Sequence, residues 1–436
     1  MSRYDPKTGI SQTLGQTGPV ASGPREKLGF FFFILLVYLF YEYGRPAHPL
    51  GVPMAISILL IGGWLVRRDK RWSPQITGFL AFLVVMLISS PMATNIYASV
   101  WATYGMAIVL LCICIPLPSV VTSVRKIRVW AYTFVAIAVY VGAWAVFHGG
   151  YGPSAAGGGQ DENYVAAMMG MAIPFAYFSI FLETRRVVKI LLGLSIGVFC
   201  GALVTANDVS RGGFLGLCAV FLYCLAKSQR KWIGLSVIAV IAVVVFGFAA
   251  PRYWDEIATI KNIHEGTADM RLEVWTIGLR MFVAHPALGV GPGNFRWNVG
   301  HYESVEQRAK YGRDLGGSII AHSLFVELLA ELGIAGAAVV IWLLWRTWRD
   351  LRQVREGGIV RSREITAASD LVHLRYYADA ILASILACLV NGAFLSLLYF
   401  SYLWLLIAMG SAVSHVFRSH GGATETLEPR RIHAGS

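Results

Sequence analysis

Uninterrupted apolar runs, separated by short polar or glycine-rich segments, make up most of the chain. A helix needs about 20 mainly apolar residues to cross a bilayer, and most of the runs approach that length. The runs are continuous and do not alternate, which favours helices over the strands of a β-barrel. We therefore predict an all-α integral membrane fold with about twelve transmembrane helices. The apolar runs cover approximately residues 28–43, 50–66, 76–90, 98–115, 129–147, 164–181, 190–206, 212–226, 232–250, 323–345, 376–394 and 397–417.

The composition supports this prediction. The 436-residue chain is 56% hydrophobic and only 14% charged, with a mean hydropathy of +0.58. A soluble domain carries about 25% charged residues, so the chain lacks the polar surface that such a domain needs. All six cysteines lie inside apolar runs, and we expect neither a disulfide framework nor a thiolate metal site. The first run has no small-residue cleavage site after it, which indicates an uncleaved signal anchor.

The net charge of +12 is concentrated at the ends of the apolar runs. Basic residues gather at 67–71, 124–128, 184–189 and 227–231, and above all at 346–375. Alternation of the runs across a bilayer puts these segments and both termini on one side, which the positive-inside rule assigns to the cytoplasm. We therefore expect the bilayer, and no nucleic acid, to be the partner of this charge.

The runs and loops predict five regions. We expect a disordered cytoplasmic tail at 1–27, nine transmembrane helices within 28–250, and a long outer loop at 251–321. Three further transmembrane helices within 322–417 and a cytoplasmic tail at 418–436 complete the chain.

Three places on the outer side keep basic residues although that side is otherwise almost free of them: Arg45, Arg211 and the long loop. Arg211 lies at the predicted outer mouth between the seventh and eighth runs. An arginine at that depth usually faces protein or a water-filled cavity, so it could clamp a lipid-linked phosphate. It could equally extend to lipid headgroups.

The long loop contains a predicted amphipathic helix that Asp269 caps and that ends near Ala284, before His285-Pro286. We expect its apolar stripe to pack onto the membrane face. Arg271 and Arg280 point away from the stripe, and Arg271 could bind an anion, pair with Glu273 or bind lipid phosphate. The stripe consists of Met270, Val274, Ile277 and Met281.

Two further segments carry candidate chemistry. LGVGPGNF, at 288–295, has glycines at every second position and predicts a tight turn, which could also bind an anion. His322 follows the loop at the start of the tenth run, where a histidine can transfer a proton at neutral pH or serve a structural role. Asp161 and Glu162, in the outer loop after the fifth run, could bind a metal or a sugar or simply be solvated.

Taken in order, these motifs resemble the O-antigen ligase family, which includes related polysaccharide polymerases and protein O-glycosylation ligases. The resemblance rests on SRGGFLGL around Arg211, MRLEVWTIGLRMFVAHPALGVGPGNF with Arg271, and AHSLFVELLAELGIAG with His322 and Glu331. DENYVA, with Asp161 and Asn163, and YLWLLIAMG near the end match more loosely. The resemblance covers about residues 150–415. It departs from the family at Ser323, where an asparagine is usual.

The resemblance implies an architecture of the GT-C-like membrane glycosyltransferase type in a bacterial inner membrane, with 251–321 in the periplasm. The implied donor is a glycan on undecaprenyl diphosphate, and the acceptor is a hydroxyl of lipid A core, another glycan or a protein. Arg211 and Arg271 are the implied diphosphate ligands, with Arg280 as a weaker candidate, and His322 is the implied proton acceptor. Asp161, Asn163 and Glu331 are further expected substrate contacts. We expect no cofactor and no metal, because no ligand spacing recurs among the outer acids and histidines.

Two other functions remain compatible with the sequence. A transporter or flippase of a lipid-linked glycan would use the same cationic cavity without chemistry, although internal repeats are not evident. A noncatalytic membrane subunit of a polysaccharide assembly complex would need no histidine at the outer surface. Ligase and polymerase share donor and mechanism, so the sequence does not separate them.

Overall fold

A computed structural model describes residues 27–46, 52–153, 161–204, 210–228, 267–311, 319–357 and 365–420, and the single positions 232, 235, 239 and 243. All regular secondary structure in these residues is helical. In chain order the helices are α1 Phe30–Gly44, α2 Val52–Val66, α3 Pro74–Met92, α4 Ile96–Val120, α5 Val124–Phe147, α6 Glu162–Leu182 and α7 Arg186–Val204. They continue as α8 Arg211–Lys227, α9 Thr267–Ala284, α10 Phe295–Tyr302, α11 Val305–Tyr311, α12 Leu324–Gly357, α13 Ile365–Gly392 and α14 Ser401–Ser419.

Seven helices in the described part of the chain are long and apolar enough to cross a membrane: α3 to α7, α12, and Ser369–Gly392 of α13. Helices α1 and α2 and Gly212–Lys227 of α8 are apolar but shorter. The protein is therefore a helical membrane protein, as the hydropathy pattern predicts. Twelve spans, and the side on which the long loop lies, stay predictions.

Each predicted run that the structure describes in full lies largely within a helix. Only four positions of the ninth run belong to the described residues. Residues 1–26, 251–266 and 421–436 lie wholly outside them. Helix α12 continues to Gly357, well into the segment expected to be a basic loop. Arginine and glutamate are good helix formers, and Arg352 pairs with Glu356 at 2.7 Å one turn later.

Helix α13 lies at the centre of the bundle and packs against α6, α8, α12 and α14. Most residues of α6 and α14 are buried. At one end of the bundle the buried Asp350 carboxylate accepts hydrogen bonds from Gln75 at 2.8 Å and Arg418 at 3.3 Å. This carboxylate therefore ties α3, α12 and α14 together.

Helix α12 is interrupted at Gly333, where φ is 59° and ψ is −156°. The turn at 286–291 enters the interruption. The amides of Val290 and Gly291 donate to the carbonyls of Ala330 and Glu331, and the amides of 334 and 335 donate to the carbonyls of 286 and 287. A Cβ at Gly333 would come within 2.6 Å of the Pro286 carbonyl oxygen, so this approach requires glycine. The glycine turn and the outer part of α12 thus form one unit.

Helix α9 differs from the prediction in the residue at which it begins and in the elements that pack against its apolar stripe. It begins at Thr267, and Asp269 lies in its first turn instead of capping it. Its apolar stripe packs against α12 and α10 and is not turned to lipid, because Val274, Ile277 and Met281 are buried with Phe295. An apolar stripe of this width fits a protein surface as well as a membrane surface.

Candidate functional site

His322 occupies a short non-helical segment between the long loop and α12. Its φ of 48° lies in the left-handed region, which residues with a side chain seldom adopt. Two neighbours fix this conformation. The Trp275 indole of α9 donates to the Ala321 carbonyl at 3.1 Å, and the buried Ser323 hydroxyl accepts from the Val326 amide at 3.4 Å. Ser323 therefore caps α12.

The His322 imidazole is half-buried beside two charged groups. Burial lowers its pKa, the Arg271 guanidinium lowers the pKa further, and the Asp161 carboxylate offsets part of the change. The lowered pKa favours the neutral imidazole, which is the form that a general base requires. Charged residues from two other stretches of the sequence therefore act electrostatically on this imidazole.

Asp161 and Asn163 lie at the start of α6. The Asp161 carboxylate caps the helix by accepting from the amides of Asn163 and Tyr164, both at 3.1 Å. The Asn163 side chain donates to Glu162 at 3.4 Å. Asp161 thus combines a structural role with proximity to His322.

Arg211 is the first residue of α8, and its side chain lies outside the described residues. The Ser210 hydroxyl caps this helix by accepting from the Gly213 amide at 3.0 Å. A Cβ at Gly212 would lie 3.1 Å from the Cβ of Phe394, and the Phe394 ring lies 6.3 Å from that of Trp275. The start of α8 is therefore close to the segment that holds His322.

Glu331 holds the glycine turn. Its buried carboxylate accepts from the amides of Gly293 at 2.6 Å and Phe295 at 2.7 Å, and from the hydroxyl of Tyr399 in a short hydrogen bond. Gly289, Gly291 and Gly293 all have positive φ, so the predicted tight turn is present. These bonds favour a positioning role for Glu331, and a substrate contact there stays a prediction.

Arg280 lies on a different face of α9 from Arg271. Its guanidinium donates to the Tyr302 carbonyl at 3.0 Å and to the Gln307 side chain at 2.9 Å. It therefore binds α9 to the segment containing α10 and α11, two helix turns or more beyond Arg271.

Sequence reasoning did not single out Trp275, Phe394 or Tyr399, which connect the elements of the site. Nothing in their local patterns distinguishes them from other aromatic residues of an apolar chain. Arg45 was noticeable as an outer-side arginine, and the structure puts it at the end of α1. There Glu42 accepts from Ser401 at 2.7 Å, which fixes this end against the start of α14.

No group of three or more His, Cys, Asp or Glu side chains that could hold a metal ion occurs among the described residues. The Arg271 guanidinium is able to bind an anionic leaving group, and the His322 imidazole is able to accept a proton from a hydroxyl.

Residues 196–341, about a third of the chain, match the family model described as O-Antigen ligase. No curated protein matches the chain. The matched segment includes α8, α9 and the start of α12, with Arg211, Arg271 and His322, and it confirms the resemblance seen in the sequence.

Proposed function

Because residues 196–341 of this helical membrane protein match the O-antigen ligase family model, we propose that the chain transfers a glycan from undecaprenyl diphosphate to an acceptor hydroxyl. The acceptor is lipid A core, another glycan or a protein, which makes the enzyme a ligase or a polymerase of surface polysaccharide. The observation that carries the proposal is the hydrogen bond from Trp275, one helix turn beyond Arg271, to the carbonyl of Ala321 next to His322. Arg271 and Asp161 both also act electrostatically on the His322 imidazole.

The proposed reaction uses the diphosphate as leaving group. A bond forms between the acceptor oxygen and C1 of the donor sugar, and the bond between C1 and the diphosphate oxygen breaks. The neutral His322 imidazole accepts the hydroxyl proton. Arg271 and Arg211 stabilise the negative charge that develops on the diphosphate, since guanidinium groups bind phosphate oxygens in bidentate fashion. Two such groups supply the charge that a metal ion supplies elsewhere, so the proposed transfer is metal-independent.

The proposal includes a topology. Twelve spans of a GT-C-like architecture, with both termini in the cytoplasm, would put 251–321 in the periplasm of a bacterium. The site would then open to the outer leaflet of the inner membrane. The concentration of basic residues at 346–375 and the near absence of basic residues from the short outer loops support this orientation.

The proposal is tested by His322→Ala in purified protein in lipid, supplied with donor and acceptor. Loss of a general base lowers transfer by about 10²–10⁴-fold, while donor binding should remain. His301→Ala is the control, because His301 is exposed on α10. Transfer by His322→Ala above roughly a tenth of the wild-type rate rules out proton acceptance by this residue.

The same assay tests metal independence and the alternatives. Transfer should survive excess EDTA, and activity that returns only with magnesium or manganese would refute the metal-free mechanism. Unchanged surface glycan in cells that carry only His322→Ala would favour a flippase or a noncatalytic subunit.

A further inference from the structure

A cavity of about 630 Å³ lies between α9 and α11, on the far side of α9 from its buried stripe. This volume is within the usual range for ligand sites. Its main lining residues are Asp269, Glu273, Thr276, Leu279, Arg280 and Gln307. We call this cavity the α9–α11 groove.

The groove continues from the candidate site through Trp275. Trp275 lines the groove, and its indole N–H is bonded to the Ala321 carbonyl next to His322. Arg271 precedes Trp275 by one turn of the same helix, so the two side chains are neighbours on one face. A ligand whose phosphate is held at Arg271 would therefore pass Trp275 before it reached the groove.

The charges of the groove favour a polar ligand without strong negative charge. The groove is lined by three carboxylates and two cations. The carboxylates belong to Asp269, Glu273 and Glu306, and the cations to Arg280 and Lys310. Lys310 is bonded to Asp269 at 2.6 Å, which leaves little free positive charge for a phosphate. An anionic lipid headgroup is thus a poor occupant, whereas carboxylate and amide oxygens suit the hydroxyl groups of a sugar.

The polar wall of the groove is held in place by its own hydrogen bonds. Gln307 is 4% exposed, and its side-chain oxygen accepts from Arg280 at 2.9 Å and from the Ser304 amide at 2.8 Å. Its amide nitrogen donates to the Glu273 carboxylate. Leu272 and Leu279 are 39% and 46% exposed and give the groove apolar patches, which the carbon face of a sugar ring can cover. Polar groups held in position beside apolar surface are typical of a ligand site.

We propose that the α9–α11 groove binds the sugars of the donor glycan that follow the first one. The first sugar lies at His322, the diphosphate at Arg271, and the chain extends past Trp275 along the groove. The proposal rests on the proposed function and adds that the enzyme selects donors by the length of their glycan.

Thr276→Trp tests the proposal by filling the groove. Among the described residues, the Thr276 hydroxyl is bonded only to carbonyls of its own helix, of Leu272 at 2.7 Å and Glu273 at 2.9 Å, so its removal leaves no described buried donor without a partner. Val283→Trp is the matched control. Val283 is 75% exposed on the same helix and does not line the groove.

Two donors are compared at a fixed acceptor: undecaprenyl diphosphate carrying a single sugar, and the same lipid carrying a complete oligosaccharide repeat. We expect Thr276→Trp to lower kcat/KM for the oligosaccharide donor by at least about tenfold, while kcat/KM for the single-sugar donor stays within about twofold. Val283→Trp should leave both values unchanged. This difference between donors would not arise from a general loss of folding.

Four results would overturn the proposal. An equal loss with both donors would mean that Thr276→Trp disturbs the structure or the reacting centre. An equal loss in Val283→Trp would assign the groove no role toward the donor. If the wild type transfers both donors and Thr276→Trp does not distinguish them, only the groove proposal fails. If the wild type transfers neither donor, the proposed function fails with it.

Discussion

Replacement of Glu331 separates a positioning role from a substrate contact. Three donors, the amides of Gly293 and Phe295 and the hydroxyl of Tyr399, point at its buried carboxylate. Glu331→Gln keeps one oxygen as an acceptor and replaces the other with an NH₂ group, which can only donate. At least one buried donor then loses its partner, at a cost of about 1–3 kcal/mol. Glu331→Ala removes all three acceptor contacts and should cost more.

The measurement is thermal or denaturant unfolding of the purified protein in detergent, together with transfer kinetics. We expect Glu331→Gln to unfold at a lower temperature and kcat to fall, because the turn at 288–295 and the adjacent His322 segment lose their fixed position. The KM for the donor should change little. Glu356→Gln is the control, since Glu356 lies in an exposed ion pair, which contributes about 1 kcal/mol at most.

The opposite pattern would refute this reasoning. An unchanged unfolding transition with a raised KM for the donor would show that Glu331 binds substrate and that the turn does not depend on it. Equal unfolding shifts in Glu331→Gln and Glu356→Gln would show that the buried bonds contribute nothing beyond a surface pair.

Two further substitutions test the charges around His322. Asp161→Asn keeps the helix cap, because asparagine caps as well as aspartate, but it removes the charge that raises the His322 pKa. The imidazole then stays unprotonated at lower pH, so the acid limb of the kcat/KM profile should move to lower pH, and a move to higher pH would contradict the assignment. Arg271→Lys keeps the charge but loses the bidentate geometry, and transfer should fall by about tenfold or more, equivalent to 1.4 kcal/mol. Arg352→Lys, in an exposed pair with Glu356, should transfer like the wild type, and equal transfer by both variants would show that Arg271 acts only through its charge.

The sequence predicted those features that depend on local pattern. Apolar runs of sufficient length became helices, and glycines at every second position of 288–295 became a turn with positive φ at three of them. The stripe of α9 was also recognised, but what covers it was not, since lipid and protein present the same apolar surface to a helix. The bonds from Glu331 to Gly293 and Tyr399 join residues 38 and 68 positions apart, and no local pattern encodes them.

In the candidate site too, the sequence identified individual residues but not the contacts between them. The resemblance named Arg211, Arg271 and His322 together, but the contacts that bring α8 and α9 close to the His322 segment run through Trp275 and Phe394, whose partners are set by tertiary packing. Asp161 lies at the start of a helix more than a hundred residues before His322. Its effect on the pKa of the imidazole arises only in the folded chain, so the sequence did not predict it.

The exchange of backbone hydrogen bonds between 286–291 and the interruption at Gly333 has a consequence for synthesis of the chain. The turn leaves the ribosome some forty residues before the part of α12 that it completes. Until both are present, the amides of 334 and 335 and the carbonyls of 330 and 331 lack their partners, and a membrane interior supplies none. In the proposed topology, α12 reaches its final form only after the preceding loop has been exported. A substitution that slows export of the loop would then leave α12 incompletely folded, although the sequence of α12 itself is intact.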